Sequence, residues 1–308
     1  MDRDNQTIKY EFILLGFSKN SKINLALFFL FLVIYLITFD ANCLILCVII
    51  FNPRLHTPMF FFLCILSFLD LSYSSIAVPK FLSNLLSTHP TISILGCALQ
   101  LYLILFLGGT ECLLLALMAY DRYLAICRPL HYPILMRWSI CYWLTSLVFI
   151  ASFTIYVLPS LIIPLPLCYK NQVNHFMCEV LAVIKLSCNN IDLSESVIFS
   201  TSFISLLLPF VFIMVSYICI ITSVLKVHSV RRSKAFSTCS SHISVVAFFF
   251  GTGMIMYFGP SSQYSSNQEK YISTFYVVVS PMLNPLIYTL NNREVKVTIV
   301  KVLSKLNE

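Results

Sequence analysis

Charge is the scarcest thing in this sequence. Asp, Glu, Lys and Arg supply 11% of the 308 residues, against about 25% in an average soluble domain. With 58% of residues hydrophobic and a mean hydropathy of +0.86, a water-borne chain would lack the polar surface to stay dispersed. An ordinary soluble protein is thereby excluded, and an integral membrane protein is expected. Gly/Ser- or Pro-rich linkers, low-complexity blocks and short repeats are also missing, so 1–308 reads as one membrane domain.

Catalytic constellations are missing too. The six His (His56, His89, His131, His175, His228, His242) lie apart, at span ends or in loops. There is no metal-ligand cluster, Ser-His pair or Gly-rich phosphate loop, so no enzyme and no cofactor is expected. A transporter would show repeat symmetry and paired broken helices, and neither is present. The first 22 residues are too polar for a signal peptide, so the first apolar segment is expected to direct insertion.

What is present is a series of apolar runs. A membrane span needs about 20 such residues. Seven runs qualify, at roughly 23–51, 58–82, 95–120, 139–162, 196–225, 237–259 and 271–290. The fold expected is an all-α seven-transmembrane helix bundle. A short amphipathic C-terminal helix would follow in the tail 291–308, with Val295, Ile299, Val302, Leu303 and Leu306 interleaved with Lys296, Lys301 and Lys305. A frayed polar tail is the alternative.

The basic residues set the orientation. Twelve of the twenty Lys and Arg (Arg54, Arg122, Arg128, Arg137, Lys226, Arg231, Arg232, Lys234, Arg293, Lys296, Lys301 and Lys305) fall on one side, and eight (Arg3, Lys9, Lys19, Lys22, Lys80, Lys170, Lys185 and Lys270) on the other. That side is expected inside and the N-terminal 1–22 outside. The net charge of +7 is scattered over short loops, which suits membrane lipid and not nucleic acid. Asn5-Gln-Thr7 is a glycosylation acceptor if the N-terminus is outside. Four cysteines then lie outside, at Cys97, Cys168, Cys178 and Cys188, enough for two bridges with three possible pairings. Most of the other eight read as small apolar residues.

Three carboxylates, Asp40, Asp70 and Glu111, lie within spans, where each is costly unless it finds a partner. Asp121 and Arg122 stand side by side where the third span would leave the hydrocarbon. A helix drawn backward from Arg122 puts Ile104, Leu105, Gly108, Gly109 and Cys112 on one inner face. The two Gly there leave room for a ligand or for a neighbouring helix.

Six motifs in order carry a resemblance. They are Leu55-His-Thr-Pro-Met-Phe-Phe-Phe-Leu63, Leu66-Ser-Phe-Leu-Asp70, Met118-Ala-Tyr-Asp-Arg-Tyr123, Ser216-Tyr217, Lys234-Ala-Phe-Ser-Thr-Cys-Ser-Ser-His242 and Pro281-Met-Leu-Asn-Pro-Leu-Ile-Tyr288. In this wording and spacing the chain resembles the odorant (olfactory) branch of the rhodopsin-like G-protein-coupled receptors.

The resemblance implies a multi-pass receptor of the plasma membrane, in olfactory neuron cilia. Its partners would be a small odorant and a heterotrimeric stimulatory (olfactory) G protein that raises cyclic AMP. Ser202, Phe203, Leu206, Phe250, Tyr257, Thr274 and Val277 would complete the ligand pocket begun by span three. So apolar a lining suits a small neutral molecule, and an amine is disfavoured because Ile104 stands where aminergic relatives carry Asp. Asp70, Glu111, Asn42 and Asn284 would surround a polar centre holding a sodium ion or a proton. Asp121, Arg122, Tyr217, Asn284, Pro285 and Tyr288 would form the activation switch. The bridges would be Cys97–Cys178 and Cys168–Cys188. Ser and Thr of the segment from Lys234 would face the G protein as phosphorylation candidates. The chain departs from the family pattern at Asp40, Ala41 and Phe250; Asp40 would either join the polar centre or turn to a helix groove.

Overall fold

A computed structural model describes residues 11–162, 171–186, 192–225, 229–258, 266–291 and 295–299. The described chain opens with β1 (Glu11–Leu14) and turns at Gly16, whose φ of 59° suits a residue without Cβ. Helix α1 (Ser21–Phe51) is capped by Asn20, whose side chain accepts from the Lys22 N–H. Helix α2 (Pro58–Leu86) starts on proline, where a missing N–H costs nothing. After β2 (Thr91–Ser93), helix α3 (Ile94–Cys127) is capped by the Ser93 hydroxyl accepting from Gly96 N–H. The short α4 (Tyr132–Leu135) leads to α5 (Trp138–Ser152), which passes through a π-helical turn (Phe153–Val157) into α6 (Leu158–Ile162). Then come β3 (Gln172–Val173), α7 (Val180–Ile184), α8 (Asp192–Leu225) and α9 (Ser229–Phe258). Helix α10 (Ser266–Thr274) runs through a second π-helical turn (Phe275–Val279) into α11 (Ser280–Asn291).

Seven of these segments are long and apolar enough to cross a membrane: Ser21–Phe51, Pro58–Leu86, Ile94–Cys127, Trp138–Ile162, Phe199–Leu225, Cys239–Phe258 and Gln268–Thr289. They are not equivalent. In α2 and α3 the most apolar stretch is 56% buried, but in the fourth span only 11%. The bundle is therefore built around α2 and α3, and the fourth span leans on it from the lipid side. Lipid tails are as apolar as Leu, so contact between helices rests on close packing and hydrogen bonds. Gly109 of α3 shows the first: a Cβ there would strike the Tyr156 ring. Thr110 and Ser152 show the second, with hydroxyls 2.9 Å apart between α3 and α5.

Two helices extend furthest beyond the apolar runs that announce them. α3 continues to Cys127, so Asp121 and Arg122 lie inside a helix and not at its exit. α9 begins at Ser229, through residues too polar to read as a span. The other departure is β-structure. β1 is the central strand of a three-stranded sheet, antiparallel to β2 (Phe12 opposite Ile92) and parallel to β3 (Leu14 opposite Val173). Phe12, Leu14, Leu101, Val173 and Val183 form a small core beneath it. Residues 295–299 are helical, with Val295 and Ile299 buried. Val302, Leu303 and Leu306 lie outside the described residues, as do Asn5, Cys168 and Cys188.

Candidate ligand cavity and polar relay

The strand end of the bundle carries a roof. A disulfide ties Cys97, in the first turn of α3, to Cys178 in the loop before α7. Gln100, one turn on, accepts from the Cys178 N–H at 2.9 Å and donates to the Ile76 carbonyl of α2 at 3.1 Å. His175 is buried, with Nε2 3.1 Å from the Ser273 hydroxyl, while its Nδ1 accepts from the Met177 N–H at 3.3 Å. That pairing makes Nε2 the protonated nitrogen. Burial, helped by the charge of Lys270, lowers its pKa to about 3. Lys270 donates to the Gly16 carbonyl at 2.6 Å, and Lys185 pairs with Glu269 at 2.7 Å. The roof is thus pinned to α2, α3 and α10.

Glu179 follows the bridging cysteine. Its Oε2 accepts from the Leu181 and Ala182 N–H groups, at 3.0 and 3.3 Å, and caps α7. Burial raises its pKa to about 7 against the pull of those two bonds.

Beneath the roof is a cavity of about 170 Å3. Ile104, Leu105, Gly108, Gly109 and Cys112 of α3 line it, as do Ser202, Leu206 and Tyr257. Four expected lining residues do not. Phe203 is 46% exposed on the lipid side, against Phe199 and Phe258. Phe250 is fully buried against Phe210, and its neighbour Phe249 lines the space instead. Val277 is fully buried, and the Thr274 hydroxyl donates to the Lys270 carbonyl. In their place stand Tyr73, Tyr156, Tyr276, Glu111 and Glu179. The expected uncharged lining is therefore corrected: one carboxyl lies at the floor and one at the roof.

Glu111 belongs to two sites. Its Oε1 accepts from the Asn284 amide of α11 at 3.1 Å, and the same amide reaches Asp70 Oδ1 and Oδ2 at 3.0 and 3.1 Å. All three are buried. Asn42 stands aside: its amide donates to Thr38 O at 2.9 Å and Pro281 O at 3.0 Å, clasping α1 to α11. Asp40 does not join the polar centre. It is exposed on α1, among the lipid-facing Leu36, Ile37 and Phe39.

At the other end, Arg122 Nη2 lies 3.5 Å from Asp121 Oδ2. Asp121 is buried, and its Oδ1 accepts from the Tyr132 hydroxyl of α4 at 2.8 Å. Burial and the Asp121 charge push the Tyr132 phenol well above its ordinary value, so it stays a donor. Tyr217 does not turn to Arg122. Its hydroxyl is 2.8 Å from His242 Nδ1, joining α8 to α9, and Tyr288 is buried nearby on α11. Pro285 breaks the α11 ladder beside Asn284. Sequence reasoning missed Tyr132 and His242 as partners, although His242 closes a motif and Tyr132 lies eleven residues beyond Asp121.

Comparison with known proteins agrees with this architecture. The family model for olfactory receptors matches residues 31–306. Olfactory receptor 10R2 of Homo sapiens is 46% identical over 98% of this chain and 91% of its own length. Olfactory receptor 5AP2 of Mus musculus is 46% identical over 97% and 95%. Olfactory receptor 13C9 of Homo sapiens is 44% identical over 96% of both. With seven spans, a bridged roof and this likeness over nearly its whole length, the chain belongs to the olfactory receptor family.

Proposed function

We propose that the roofed cavity binds a small, mostly hydrophobic odorant, and that binding drives a stimulatory heterotrimeric G protein and raises cyclic AMP. The reading places the roof and glycosylated Asn5 outside the cell and the Arg122 end in the cytoplasm of the plasma membrane. The observation that carries it is Glu111, whose carboxyl lines the cavity and also holds Asn284. A ligand that shifts α3 against α11 acts on that bond. Asn284 shares its amide with Asp70 and precedes Pro285, where α11 bends most easily. The output is the Asp121–Arg122 pair: released from Asp121, Arg122 becomes available to a G-protein helix, with Tyr217 and Tyr288 beside it. A ligand does this only by binding the released state more tightly.

Asp70 and Glu111 sharing one amide donor bring hard oxygen ligands together, which fits a sodium ion or a proton. Either would neutralise one of two adjacent carboxylates at membrane depth. Asp70, Glu111 and Asn284 would hold the ion, and Asn42 would steady α1 behind them. The test is a cyclic AMP reporter screened with volatile compounds. Arg122→Ala is expected to abolish the response at normal surface expression; a response that survives it removes Arg122 from the output.

A further inference from the structure

Resting on the reading that this cavity is the odorant site, we infer that it selects ligands whose polar end donates a hydrogen bond, an alkylammonium above an alcohol, because Glu179 lines it with Oε1 buried and without a partner. Oε2 is occupied by the cap on α7. Oε1 is buried and makes no hydrogen bond. Among the described residues that line the cavity, it is the one buried side-chain N or O atom left so. Two lining hydroxyls and a thiol are already turned to carbonyls: Tyr156 and Cys112 donate to Ser205 O, and Ser160 to Val157 O. Tyr257 lies beside the carboxylate without completing a bond to Oε1. No described lining residue is Lys, Arg or His. A buried acceptor without a partner is costly, and a charged one more so. A ligand N–H or O–H relieves that cost on the ionised carboxylate; a ketone or a carboxylate does not.

The charge pattern agrees. Glu111 at the floor and Glu179 at the roof give the cavity two carboxyls and no cation. The groups acting on Glu179 are Glu269, which raises its proton affinity, and Lys185, which lowers it. Tyr73, Tyr257 and Tyr276 share the cavity with it. A pKa of about 7 leaves Glu179 substantially ionised at neutral pH, ready for an ammonium, while its protonated fraction still accepts from an alcohol. Expectation from Ile104 alone disfavoured amines; the acid enters from the loop instead of α3. The apolar tail would lie along Leu105, Leu206 and Phe249.

The experiment measures thermal stabilisation of the purified full chain by four probes of one skeleton: hexylamine, hexanol, hexanone and hexanoate. Hexylamine is expected to half-saturate at about tenfold lower concentration than hexanone, with hexanol between them, because a hydrogen bond to a charged group contributes roughly 1.5 kcal/mol or more. Hexanoate is expected to do nothing. Glu179→Gln keeps an oxygen for the α7 cap and adds an N–H, so hexylamine loses about tenfold while hexanone gains. Hexanone or hexanoate matching hexylamine on the unaltered chain, an order unchanged by Glu179→Gln, or no stabilisation by any probe overturns the inference. Gly108→Leu and Ser202→Phe fill the cavity. If they abolish binding yet donors hold no advantage, the inference falls and the cavity reading stands. If binding survives both, the cavity reading falls.

Discussion

The two ends of the bundle differ in where a buried carboxylate finds its partners. At the Arg122 end polar side chains are bonded to one another: Asp121 holds Arg122 and Tyr132, and Tyr217 holds His242, with His242 Nε2 and the Tyr288 hydroxyl left over. At the roofed end Glu179 is bonded to backbone alone and left incomplete. Glu179, at the cavity wall, is anchored through Oε2, while Oε1 is buried and unbonded. Side chains bonded to one another favour one arrangement until something breaks it; a buried acceptor without a partner favours whatever molecule completes it. The first suits a latch and the second a receptor site, and Glu111 with Asn284 stands between them.

The largest test of that contrast removes the anchoring. The Cys97–Cys178 bridge closes a separation of 81 residues, for which chain entropy alone suggests a contribution of about 4 kcal/mol. Cys178→Ser is expected to abolish surface delivery, read as surface against total immunostaining. Normal surface protein with a normal ligand response would mean that the sheet, Gln100 and Lys270 hold the roof unaided.

Next in size is the open carboxylate. Glu179 moves from an ordinary 4.5 to about 7, a shift worth on the order of 3 kcal/mol. Between those pH values the folded chain keeps a proton that the unfolded chain has released. Stability from this group therefore falls as pH rises across that window and levels off above about 7. His175 works against it: below its ordinary 6.5 the unfolded chain takes up a proton that the folded chain refuses down to about 3. The two trends overlap, so the readout is the difference between the parent and Glu179→Gln in melting temperature from pH 5 to 8. The gap is expected to widen with pH in favour of Glu179→Gln. A constant gap would show that Glu179 is not desolvated.

Asp40 belongs to neither end. It lies on α1 only two residues before Asn42, which reaches the Pro281 carbonyl inside the bundle, so it sits at comparable depth while facing lipid. An Asp at a helix centre costs about 2.5–3.5 kcal/mol on insertion scales. Asp40→Leu is expected to raise surface level and melting temperature together. A drop in surface level with a higher melting temperature would mean that a partner helix in the cell engages Asp40.

What was legible in the sequence follows from how local its cause is. The spans came from unbroken apolar runs. The face of α3 came from helical spacing, and all five of its expected residues line the cavity, because no Pro or π-helical turn interrupts α3. In the seventh span the π-helical turn at Phe275–Val279 adds a residue to the turn and rephases the helix, which puts Tyr276 at the cavity and Val277 in the core. The sheet was illegible because strands of two to four residues pair across some 80 and 160 positions, leaving no periodic signal. Glu179 had one available signal, its place after the bridging Cys178, but nothing local says that its second oxygen stays unpaired. Polar runs hid the start of α9, since a helix leaving the membrane needs no apolar face.

The smallest prediction probes the Arg122 end by one atom. Tyr132→Phe deletes the hydroxyl that donates to Asp121 Oδ1 at 2.8 Å and leaves the Arg122 contact at Oδ2 in place. A hydrogen bond to a carboxylate contributes roughly 1.5 kcal/mol, so basal cyclic AMP signalling should rise by up to about tenfold if the latch balances two states. Asp121→Asn should exceed that, because it also removes the charge that holds Arg122. If Tyr132→Phe leaves basal signalling unchanged while Asp121→Asn raises it, the charge pair alone is the latch. If neither does, the Arg122 end is held by Tyr217 and His242 across α8 and α9, and release must begin there.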